Sequence, residues 1–313
     1  MKKLLPIISL LVVIVAGIYV WNLDKEELPQ QSKPSINLAS FQKTKSCVKP
    51  PRFLKRYGVR TAVMIDLSQR NAKGVSLLFG KNFRKYLHSK EWERYDYFGT
   101  YTLDRDGNLY LVPMPFVSIE KHTFEYQKNL YKIDTNSGKL DVFMSFDDVN
   151  ATEANPYGLS AIAYDCKYDR FYISAIDEST YNETKGVIYV VDRKSKKILQ
   201  KLEGFDALSL SILEDDKKHR YLLAGSAKDD ALYSYDIISD GLNTKKVKLL
   251  EVPTATQHIR KIRIKSKDMI ELETIEFSYS LVASSDEHGK YREHYKALYN
   301  PKTKEFHIEK IQN

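Results

Sequence analysis

The chain has 313 residues, 42 % apolar and 12 % aromatic, which is enough apolar material for a sizeable packed core. Its 49 basic and 41 acidic residues leave a net charge of +8, interleaved along the chain rather than gathered in a patch, which argues against a nucleic-acid binder. Two cysteines without a Cys-x-x-Cys pair exclude a cysteine-rich metal or redox centre, and 22 Tyr against 13 Gly and 10 Pro favour strands.

The first predicted element is apolar. Residues 4–21, LLPIISLLVVIVAGIYVW, carry no charge and as a helix would span about 27 Å, close to a bilayer's hydrocarbon core. Lys2 and Lys3 precede the stretch and Asp24, Glu26 and Glu27 follow it, so residues 1–22 read as a signal-anchor helix with the rest outside the cytoplasm. Cleavage as a signal peptide, giving a secreted or periplasmic protein, is the alternative. Residues 23–57 read as a polar linker, and 58–313 as the folded domain. In an oxidising compartment Cys47 and Cys166 are expected to pair.

From residue 58 onward the pattern becomes short strands, and a hairpin recurs. NLYKIDTNSGKLDVF (129–143), VIYVVDRKSKKILQK (187–201), ALYSYDIISDGLNTKKVKLL (231–250) and ALYNPKTKEFHIEKI (297–311) each end a strand on a polar residue: Asp134, Asp192, Asp236 and Asn300. Such a side chain accepts backbone N–H bonds and starts a turn. Six residues later Leu140, Ile198 and Phe306 open the next strand, and a fainter copy puts Asp66 in the same slot. The first three of these hairpins follow others at 99–118, 158–179 and 207–230, giving four strands per unit. Repeated four-stranded sheets that cannot bury both faces alone predict an all-β propeller of five or six blades. Residues 82–97 lack alternation and read as a helical or irregular insertion.

LDRDGNLYLVP (103–113) resembles the Asp-x-Asp-Gly-Asn-aromatic hairpins of NHL-repeat and gluconolactonase-like β-propellers, and NPYGLSAIAYDCKYDRFYIS (155–174) is similar to blades of uncharacterised bacterial extracytoplasmic propellers of that group. The resemblance implies a metal, calcium above all, at the channel mouth. If it carries that far, Glu153, Asn155, Asp177, Asp206 and Asp229 are the first candidate ligands. The turn at 104–107 lacks the Gly and Glu positions of an EF-hand and reads as a plain hairpin.

Loops between second and third strands, and between blades, should share one rim. Tyr181, Asp286, His288 and Tyr291 are its candidate binding residues. The strand at 258–267 has one basic face, through Arg263 and Lys265, suited to an acidic partner or an anionic surface. No Gly-x-Ser-x-Gly, P-loop or metalloprotease helix is present. The expected function is a membrane-tethered extracytoplasmic platform binding a protein or small polar ligand without catalysis. A metal-dependent lactonase- or esterase-type hydrolase is the alternative.

Overall fold

The computed structural model describes residues 38–44, 46–59, 63–67, 73–115, 124–254, 257–280 and 292–311. Residues 33–313 form one compact unit, and the apolar stretch at 4–21 lies outside the described residues. Among the described residues no helix is long and apolar enough to cross a membrane.

A short strand, β1 (Phe41–Lys43), precedes five antiparallel sheets. Sheet I holds β2 (Met64–Asp66), β3 (Ser76–Phe79) and β4 (Lys85–His88). Sheet II holds β5 (Tyr97–Leu103), β6 (Leu109–Met114), β7 (Asn129–Ile133) and β8 (Leu140–Ser145). Sheet III holds β9 (Leu159–Asp165), β10 (Arg170–Ala175), β11 (Val187–Asp192) and β12 (Ile198–Glu203). Sheet IV holds β13 (Ala207–Asp215), β14 (Arg220–Ser226), β15 (Ala231–Ile238), the two-residue β16 (Gly241–Leu242) and β17 (Val247–Glu251). Sheet V holds β18 (Gln257–Ser266), β19 (Met269–Glu276), β20 (Glu293–Asn300) and β21 (Glu305–Lys310).

Within each sheet pairing runs between chain neighbours, as blades of a propeller require, save that β17 pairs with β15 past the two-residue β16 and that β1 joins sheet IV by pairing with β13. The blade count is five. Residues 82–97, expected as an insertion, instead supply β4 between two short 3-10 turns. Lys85 and Tyr86 point outward there, which hides the alternation.

Turn chemistry explains the repeat. Asp134 Oδ1 accepts from the N–H groups of Asn136 and Ser137, Asp192 Oδ1 from Ser195, and Asn300 Oδ1 from Lys302 and Thr303. β8 and β12 then open at Leu140 and Ile198. A second series ends the inner strands: Asp104 binds the N–H groups of Asp106 and Asn108, Asp165 those of Lys167 and Tyr168, and Asp215 that of His219. These aspartates are buried and two of them also latch blades together. Arg193 of sheet III reaches Asp104 of sheet II at 2.9 Å, and Arg220 of sheet IV pairs with Asp165 of sheet III.

Apolar clusters fill the wedges between sheets. Leu77, Leu111 and Tyr131 join I to II; Tyr110, Ile162 and Phe171 join II to III; Tyr172, Ile188 and Leu222 join III to IV; Leu223, Ile262 and Tyr295 join IV to V. Among the described residues no such cluster joins V to I. Sheet V turns Lys261, Arg263, Glu271 and Glu273 away from sheet IV, and sheet I leaves Met64 (45 % exposed) and Tyr86 (73 %) open.

The packed region begins well before residue 58. Residues 38–59, mostly within the stretch read as linker, form a strap that touches the sheets in reverse chain order. Tyr299 donates to the Leu38 carbonyl, and Asp268 accepts from Ser40 Oγ and the Phe41 N–H. β1 pairs with β13, Cys47 is disulfide-bonded to Cys166, and the Phe53 N–H donates to the Thr135 carbonyl at 2.7 Å. Five apolar residues, Leu38, Phe41, Phe53, Leu54 and Val59, are buried by this route.

Candidate functional site

Each blade's first strand lies innermost, and its axis-facing edge has no further strand to pair with, except where β1 covers part of β13. Four of these inner strands surround a cavity of about 480 Å³. β5 lines it with Tyr101 and Thr102, β9 with 162–164, β13 with 210–212 and β18 with 262–265; the strap adds Thr44. These positions fall mid-strand or toward the strand ends that lead into the Asp104, Asp165 and Ser266 turns, so the chamber belongs to the strap side of the ring.

Beside the chamber, Arg260 crosses from sheet V to sheets II and IV. From β18 its Nη1 donates to the Leu208 carbonyl of β13 at 2.9 Å and its Nη2 to the Gly99 carbonyl of β5 at 3.2 Å. A Cβ at Gly99 would lie 3.0 Å from Nη2, so the crossing favours glycine there. Burial pulls the Arg260 guanidinium below its ordinary value, against the opposing influence of Tyr157 and Glu273. At the rim beyond Arg260, Ile176, Leu208, Ala227 and Tyr279 form an apolar plug with Tyr157 and Phe277.

That rim is where the candidate metal ligands were expected. Asp206 is fully buried and accepts from Ser179 Oγ and the Gly186 N–H on Oδ1 and from the Tyr279 hydroxyl on Oδ2. Lys228 Nζ stands 3.8 Å from it while donating to carbonyls of the Tyr181 loop. Asn155 donates to the Ile176 and Ser179 carbonyls, and Asp177 accepts from the Asn150 N–H; burial raises the Asp177 pKa. Asp229 accepts from the Tyr233 hydroxyl at 2.7 Å, and Glu153 is exposed. Asp206, Asp177 and Asp229 thus serve as loop ties. Among the described residues no three His, Cys, Asp or Glu side chains are grouped as cation ligands. Tyr181 is 72 % exposed and stands edge-on to Tyr279; Asp286, His288 and Tyr291 lie outside the described residues.

The structure brings Asp206, Asn155 and Tyr181 to one rim through Ser179 and Tyr279. Sequence reasoning missed the chamber and Arg260. The alternation of Ile262 and Ile264 with Arg263 and Lys265 exposed a basic face, but not that the face turns toward the ring's centre.

Similar arrangements occur among solved structures. A GH43 β-1,3-galactosidase determined with galactodeoxynojirimycin aligns with TM-score 0.40 and 10 % identity over 66 % of this chain and 74 % of its own. An exo-β-1,3-galactanase from Clostridium thermocellum aligns with TM-score 0.40 and 9 % identity over 80 % of this chain and 52 % of its own. The tricorn protease aligns with TM-score 0.43 and 12 % identity, again over 80 % of this chain but 25 % of its own. The chain therefore spans about half of the galactanase and a quarter of the protease. This is a five-bladed β-propeller. Scores this low carry nothing about substrate or chemistry. No family model and no curated protein matches the chain, so the NHL-repeat and gluconolactonase-like resemblance gains no support beyond the propeller itself.

Proposed function

We propose that this propeller is a ligand-binding protein of the cell envelope, held outside the cytoplasm by residues 4–21, and that its ligand occupies the central chamber rather than a metal site on the rim. The observation that carries this reading is the chamber's lining, in which no carboxylate, imidazole or thiol appears among the described residues. General acid–base and nucleophilic chemistry draw mainly on those groups, whereas binding needs only shape and a few oriented polar atoms. The disulfide between strap and sheet III supports an oxidising compartment.

The test is chamber filling. Ser211→Trp should abolish small-molecule binding while leaving the melting temperature of the unliganded protein nearly unchanged. Calcium supplies the contrary outcome: a melting temperature raised by calcium, lowered by chelator, and insensitive to both in Asp177→Asn would favour the metal-dependent hydrolase.

A further inference from the structure

The cations around the chamber outnumber their partners. On the face that sheet V turns away from sheet IV, Lys265 pairs with Glu271 at 3.0 Å, while Lys261 and Arg292 share Glu273 at 4.0 and 3.3 Å. Arg260 and Arg263 have no carboxylate within ion-pair distance among the described residues. The hydroxyls of Thr44, Thr102 and Ser211 line the same space and donate to no protein acceptor among those residues. Arg263 is solvent-exposed where it lines the chamber, so its five donors are free to meet an entering anion, which would supply the counter-charge it lacks. Arginine's planar fork suits carboxylate and phosphate alike.

We propose that the chamber binds a small hydroxylated organic anion, its oxyanion group on the Arg263 fork and its hydroxyls on Thr44, Thr102 and Ser211. This rests on the chamber reading above and adds the class of ligand. Arg260, already donating to two carbonyls, contributes a fixed positive field rather than a second fork.

Glucuronate, glucose 6-phosphate and neutral glucose share one ring and differ in charge, so they serve as probes in calorimetric titrations of the full chain. One or both anions should bind and glucose should not; which anion binds tells carboxylate from phosphate. Arg263→Gln should weaken anion binding by about tenfold or more, with Arg263→Lys retaining part of it. Glucose binding as well as the anions, or anion binding unaffected by Arg263→Gln, overturns the charge assignment yet leaves the chamber standing if Ser211→Trp still blocks it. Anion binding that survives Ser211→Trp overturns the chamber itself. Should that variant not fold, Thr44→Trp on the strap fills the same space. Absence of binding by both anions at millimolar concentration overturns the ligand class.

Discussion

Asp206 shows how a side chain that looks like a metal ligand can be structural. Its carboxylate ties the loop carrying Ser179 and Gly186 to Tyr279 of the last blade, and a Cβ at Gly186 would fall 2.3 Å from Oδ1. Asp206→Asn should lower stability by about 2–4 kcal/mol, read from the urea midpoint, because the buried N–H and hydroxyl donors lose their charged acceptor; a neutral effect would mean that the loops are held otherwise. Asp230 makes the opposite kind of contribution. Burial, reinforced by Glu251 and Asp229, pushes its pKa up to about 6. Between pH 4 and 6 the native state therefore holds a proton that the unfolded chain has released, so this residue's contribution to stability falls as pH rises through that window. Asp230→Asn should gain on the native protein in stability between pH 4 and 7; urea melts at both values check it, and parallel curves would contradict it. Local turn chemistry at Asp134, Asp192 and Asn300 was legible because each acts within a few residues of itself. The burial of Asp206 was not, because its partners come from loops up to 73 residues away.

At the level of elements, the strap and β4 escaped sequence reading for related reasons. Leu38, Phe41, Phe53 and Leu54 are irregularly spaced and show no period, since the strap holds only a three-residue strand and one 3-10 helix (Arg52–Tyr57) within a line of contacts to successive blades. In β4 the exposed Lys85 and Tyr86 mask a strand that covers only part of a small sheet. The blades II to V were legible because period-two alternation and turn residues agree there. The disulfide closes a span of 119 residues between strap and sheet III. Replacing Cys47 and Cys166 together by Ser should reduce stability by at most about 5 kcal/mol on chain-entropy grounds, and should expose residues 44–50 to protease. Unchanged cleavage would show that β1 and the Phe53 anchor suffice.

For the molecule as a whole, stability should be uneven. Sheets II, III and IV each have apolar neighbours on both faces, whereas sheet I buries only Leu77 fully among its strand residues. Native-state hydrogen exchange should find β2–β4 opening at a lower free energy than β10 or β14. Equal protection of β3 and β10 would contradict this. The order of the strap has a kinetic corollary. Phe41, near the beginning of the packed sequence, rests against Tyr299 and Phe306, which are synthesised last. During synthesis this greasy lace has nowhere to thread until the final blade emerges, so late docking of the belt, not the growth of any one blade, becomes the step that completes the protein.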